Sequence, residues 1–158
     1  MEASLQVLNQ SYNSDVEFVP TIHALENVSD IHLLEQLPDS SKHLFTFNEP
    51  DGTKDSGGSG IDPAAAAQVY IDKIVPLRSR WEISHPSVTG SERGLAWLDS
   101  FNASCWAIDP AAGCPADFVV AHYYGDFVGL SWCVGQLASW YRITVDEGAG
   151  PANRDLKI

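Results

Sequence analysis

Positive charge is what this sequence has least of. Nine Lys and Arg face 21 Asp and Glu, for a formal net charge of −12 and a pI near 4.5. A polyanion would be repelled by such a chain, so nucleic-acid binding is excluded as a function class. Long apolar runs are missing too. None approaches the roughly 18–20 residues of a membrane helix, so no membrane partner is expected. Residues 1–15 carry neither a basic nor an apolar segment, and no signal peptide is expected there. Cysteine is scarce. Cys105, Cys114 and Cys133 do not form a zinc pattern, and His122 has no second His at ligand spacing, so no metal is expected.

Three further motifs fall short. Asp51 and Asp55 lack the glycine and terminal Glu of an EF-hand loop and read as solvated loop residues. Ser56-Gly57-Gly58-Ser59-Gly60 lies between a strand and a helix but lacks the spacing of a phosphate loop, and reads as a flexible connection. Gly129-Leu130-Ser131-Trp132-Cys133 is one residue short of a nucleophile elbow, and all five histidines precede Ser131, against the order that chemistry requires.

What is present is an alternation. The 158 residues, 44% apolar and 19% charged, make one globular domain at most. Segments 16–22, 43–48, 81–84, 116–124 and 142–147 read as strands, the fourth being almost continuously apolar. Between them lie helical patterns at 27–37, from Asp62 to Pro76, at 94–105 and at 127–141. The second begins with Asp62 as N-cap and Pro63 at the first helical position. The last carries Leu130, Val134, Leu137 and Tyr141 in register. Trp97, Trp106, Trp132, Trp140 and Tyr123 are expected to pack in the core or between helices.

Repeated βα units imply an α/β fold with a parallel sheet, either open and doubly wound or part of a barrel. A whole (β/α)8 barrel needs roughly 200–250 residues, so five strands fit an incomplete one. In such folds reactive groups gather at the C-terminal ends of strands, where this chain places His23, Asn48, Glu49, His122, Tyr124 and Glu147. Asn48-Glu49-Pro50 is the sharpest signal: a carboxylate at the barrel mouth, beside an amide able to bind a sugar hydroxyl. Cys105 and Cys114 lie close enough in sequence to staple one loop, while Cys133 reads as core. Glycosylation sequons at Asn9, Asn27 and Asn102 lean toward a secretory ancestry.

As a set, the segments FVPTI, FTFNEPDG, DPAAAAQVYIDKIVPL, SHPSVT, GLAWLDSF and DFVVAHYYG resemble glycoside hydrolase family 128, the alkali-sensitive-linkage-type β-1,3-glucanases of fungi. The resemblance implies a (β/α)8 barrel of the TIM type, here incomplete, with strands one, two and eight missing. Residues 1–15 would be an N-terminal remnant, 16–147 a partial barrel domain and 148–158 a tail. It further implies a retaining mechanism on β-1,3-glucan, with Glu49 as acid/base and Glu147 as nucleophile. Asn48, His122 and Tyr124 would bind the polysaccharide, no cofactor would be needed, and the setting would be extracellular or the cell wall. A truncated or non-catalytic glucan-binding relative stays open as the alternative, as does an unrelated doubly wound protein.

Overall fold

The computed structural model describes residues 16–141. Within them three parallel strands stand side by side in chain order: β1 (Thr21–Ile22), β2 (His43–Asn48) and β3 (Glu82–Ser87). Parallel neighbours need a crossover, and helical segments supply each one. A run of 3-10 turns, Leu25–Gln36, joins β1 to β2. From β2 the chain passes through α1 (Pro63–Val69), a π turn (Tyr70–Ile74) and 3-10 turns (Val75–Ser79) to β3. After β3 come α2 (Glu92–Ile108) and α3 (Phe127–Trp140). Among the described residues no helix is long and apolar enough to cross a membrane.

The helical periods explain several of these forms. Ile31, Leu34 and Leu37 recur every third residue, which is the period of a 3-10 helix, so one line of side chains reaches the core. Asp62 caps α1 by accepting from the amides of Ala64 and Ala65, both at 3.0 Å, with Pro63 at the first position. Pro76 does not end this crossover as expected. The winding loosens into the π turn before it and tightens into 3-10 turns around it, which accommodates the missing amide. The π turn starts at Tyr70, fully buried, whose hydroxyl donates to the carbonyls of Ser84 (2.9 Å) and Pro115 (3.2 Å).

The inward stripe of α3 runs through Cys133, Leu137 and the following Tyr141 at intervals of four, not through Leu130, which is 38% exposed. Of the aromatics expected in the core or between helices, Trp132 and Trp106 are 51% and 41% exposed. Trp97 is buried and stacks on Phe101. Cys105, buried on α2, forms a disulfide with Cys114 across a separation of nine residues, Cα to Cα 5.3 Å, and Cys133 is free and buried.

Two of the five expected strands are corrected. The first shrinks from 16–22 to two residues. The fourth, 116–124, is not a continuous strand: it pairs with β3 and its extension at the isolated parallel bridges Ser84–Phe118 and Thr89–His122. Asp117 explains the interruption. Its carboxylate takes the Ile83 amide at 2.9 Å and also pairs with Arg78, so a side chain stands where a ladder carbonyl would. The fifth, 142–147, lies outside the described residues, as do the proposed remnant at 1–15 and tail at 148–158.

Candidate active site

The site grows out of an irregularity in β2. His43 and Leu44 pair with Glu82 and Ile83, but Thr46 pairs with Pro86 and Asn48 with Ser87, so the register shifts twice. Pro86 has no amide to give the ladder, and a bulge is the usual accommodation. Ser84 fills the gap: its hydroxyl accepts from the Thr46 amide at 3.0 Å, and its carbonyl accepts from the Thr46 hydroxyl at 2.9 Å. Around the shifts two non-glycine residues take positive φ, Phe47 at 30° and Glu49 at 40°. Each such residue costs about 1–3 kcal/mol and persists only where its surroundings hold it.

Glu49 is held on every side. Its amide donates to the Ser87 carbonyl at 2.8 Å, and its own carbonyl accepts from Gly52 (2.8 Å) and Ser59 (3.3 Å). The Gly/Ser loop is therefore packed against the turn, which corrects its reading as a mere flexible connection. A Cβ on Gly58 would stand 2.6 Å from the Glu49 carbonyl oxygen and 2.8 Å from the Gly52 carbonyl carbon, so only glycine fits.

The Glu49 side chain is 16% exposed, and its Oε1 lies 3.2 Å from Nδ1 of His122. A carboxylate accepts from Nδ1–H, and a carboxyl donates to a neutral Nδ1, so this contact can hold one proton on either partner. The pair opens on a cleft of about 530 Å³. Ser56 borders it beside Glu49, while Thr89, Gly90 and Ser91 after β3 and Arg93 of α2 form a second wall. His122, Tyr123 and Tyr124 complete it, with Tyr124 91% exposed.

Three of the five site residues expected from sequence thus meet on one cleft: Glu49, His122 and Tyr124. Asn48 is not among its lining residues; its amide nitrogen donates to the Gly57 carbonyl at 3.2 Å and holds the Gly/Ser loop. Glu147 lies outside the described residues. Among the described residues no group of three or more His, Cys, Asp or Glu is placed to hold a metal ion.

Sequence reasoning missed Asp51. Expected as a solvated loop residue, its side chain is 0% exposed. It accepts from the Thr89 amide at 2.9 Å and from the Thr89 hydroxyl, and pairs with Arg93 at 3.3 Å. The only signal available was its place directly after Glu49-Pro50, and nothing in the spacing pointed to Thr89.

The chain is similar to known proteins in sequence and in fold. Residues 4–146 match the family described as the glycosyl hydrolase catalytic core. Alkali-sensitive linkage protein 1 of Schizosaccharomyces pombe is 35% identical over 101 residues, which is 61% of this chain and 17% of that protein. A curdlan-specific exo-β-1,3-glucanase of family 128 from Blastomyces gilchristii, solved with glucose, superposes with a TM-score of 0.69. It is 24% identical, over 84% of this chain and 57% of that one. A mutant endo-β-1,3-glucanase of family 128 from Amycolatopsis mediterranei, solved with laminaripentaose, gives a TM-score of 0.55 at 27% identity, over 85% of this chain and 51% of that one. The chain therefore spans under two-thirds of the length of each of these relatives.

Proposed function

Because the chain belongs to the glycosyl hydrolase catalytic core family, with the α/β fold of the family 128 glucanases, we propose that it hydrolyses β-1,3-glucan by a retaining mechanism with Glu49 as the acid/base. One observation carries this reading: the Glu49 carboxyl, fixed on a left-handed turn and 3.2 Å from His122, faces an open cleft of about 530 Å³. In the proposed first step Glu49 gives its proton to the glycosidic oxygen as the bond to the anomeric carbon breaks. A second carboxylate attacks that carbon, and Glu49 then takes a proton from the water that releases the sugar. Glu147 is the proposed nucleophile. Retention requires its carboxyl group to stand about 5–5.5 Å from that of Glu49. His122 and Tyr124 are proposed to line the sugar site, and Asn48, turned to the Gly57 carbonyl, to hold the loop beside it. No cofactor enters these steps.

The substrate class draws on relatives whose structures contain laminaripentaose and laminarihexaose. The disulfide suits an oxidising setting, and an extracellular or cell-wall location is proposed on that ground together with the family. Incubation with laminari-oligosaccharides, with products followed by chromatography and anomeric NMR, tests the reading. The expected result is cleavage with the β-anomer formed first, lost by about 10²–10⁴-fold in Glu49→Gln. Cleavage undiminished in that variant would remove Glu49 from the chemistry.

A second reading has its own observation. Among the described residues Glu49 is the single carboxylate lining the cleft, whereas hydrolysis by either stereochemical course uses two. A glucan-binding protein without turnover would show saturable binding of the same oligosaccharides and no product.

A further inference from the structure

We propose that Asp51 is the positioning residue that aims Glu49 and His122 at one another; this rests on the reading of Glu49 as the acid. A carboxylate whose side chain is 0% exposed has given up its hydration, so bonds inside the protein must replace it. Here both oxygens bond one residue, Thr89. Oδ1 takes the Thr89 amide at 2.9 Å, and Oδ2 takes the Thr89 hydroxyl. A fork of this kind fixes rotation as well as distance.

The hydrogen-bond directions follow. The Thr89 hydroxyl donates to Asp51, so the Ser91 hydroxyl, 2.7 Å away, donates to Thr89. The Ser91 oxygen accepts from the Gly94 amide at 3.3 Å as the cap of α2. An ordered chain of donors thus runs from the first turn of α2 into Oδ2, where the Arg93 Nε also arrives at 3.3 Å.

Two routes lead from this fork to the proposed acid. Along the chain, Pro50 alone separates Asp51 from Glu49, whose φ of 40° needs external support. Across the sheet, Thr89 is bridged to His122, whose Nδ1 lies 3.2 Å from Glu49 Oε1. Asp51, Thr89, His122 and Glu49 close a ring, and in it the fork joins the β2 turn to the segment after β3 through a side chain. Loosening it lets the acid and its histidine drift apart while leaving each in the cleft.

The test uses the full chain and two readouts. Asp51→Asn keeps the volume and an acceptor for one Thr89 bond but loses the fork; Thr89→Val keeps the amide bond and loses the hydroxyl. On laminari-oligosaccharides Asp51→Asn is expected to lower kcat by about 100-fold, as a misplacement near 1 Å does, with KM changed no more than about twofold. Thr89→Val should fall in the same direction and Thr89→Ser should recover most of the loss. The second readout needs no turnover: NMR of the Glu49 carboxyl carbon and the His122 ring nitrogens. Both sets of resonances should move in Asp51→Asn, beyond any change shared with the rest of the chain. Unmoved Glu49 and His122 resonances in a folded Asp51→Asn variant would overturn the proposal, whatever the activity. If those resonances move but Glu49→Gln hydrolyses as well as the parent, positioning stands and the assignment of Glu49 as the acid fails. Should Asp51→Asn not fold, the same NMR comparison on Thr89→Val and Thr89→Ser decides between the outcomes.

Discussion

Acid should destabilise this fold through His85. His85 sits in β3, 9% exposed, among the rings of Tyr70, Phe101 and Tyr141. Its Nε2 is 2.6 Å from the Cys114 carbonyl, which can only accept, so Nε2 carries the proton. Nδ1 then accepts from the Tyr141 hydroxyl at 3.0 Å. Burial keeps both tyrosines protonated by pushing their pKa values up. Burial also disfavours the imidazolium, and although the bond to the Cys114 carbonyl works the other way, the His85 pKa falls from 6.5 to about 4. Above pH 6.5 the ring is neutral in both the folded and unfolded chain, and its contribution to stability is complete. Between 6.5 and about 4 the unfolded chain binds a proton that the folded chain refuses, so stability drops as the pH falls. The gap from 6.5 to about 4 corresponds to about 3 kcal/mol, a large share of the about 5–15 kcal/mol that holds an ordinary domain. Urea unfolding followed by tryptophan fluorescence, from about pH 7.5 to about pH 4.5, reads this directly, with a slope of up to about 1.4 kcal/mol per pH unit. Glu17 does not confuse the window. Burial raises its pKa, but bonds from Lys42 and His43 outweigh that and leave it below 4.5, so its loss begins at lower pH. The reasoning is refuted by a flat profile in the parent, or by the same slope in His85→Gln.

Other consequences follow from single contacts. Gly58→Ala must push a methyl into the Glu49 carbonyl and the Gly52 backbone, at 2.6 and 2.8 Å; we expect about 1–3 kcal/mol lost in urea unfolding, with a fall in hydrolysis larger than that of a distant variant of equal stability. Replacing Cys105 and Cys114 together by Ser opens a loop of nine-residue separation and should cost about 2–3 kcal/mol, reproduced in the parent by a reductant. Asp62→Ala leaves the Ala64 and Ala65 amides without their cap and should cost about 1 kcal/mol, whereas Asp62→Asn should restore most of it.

Local rules carried the helix starts and the first half of the site. Asp62-Pro63 marks the beginning of α1 because a capping oxygen and a fixed φ act within three residues. The alternation of strand and helix likewise announced a parallel sheet, since the period of apolar residues is a property of each segment by itself. Glu49 could be singled out for the same reason, as a carboxylate at a strand end before a proline. The partners of that carboxylate could not. That His122 would face Glu49 across 73 positions depends on the bridge between Thr89 and His122, and that Asn48 would turn to Gly57 depends on the shifted register around Pro86. The strand expected at 116–124 failed because Asp117 bonds the sheet with its side chain, a choice settled by where Arg78 and Ile83 stand. Asp51 looked like any loop aspartate until the fold brought Thr89 within 2.9 Å of it. The sequence by itself determined the start of α1, the alternation of strand and helix, and the place of Glu49 directly after β2. Only the tertiary structure decided which charges are buried, which side chain replaces a ladder bond, and what Glu49 touches, because those depend on contacts between residues far apart in the chain.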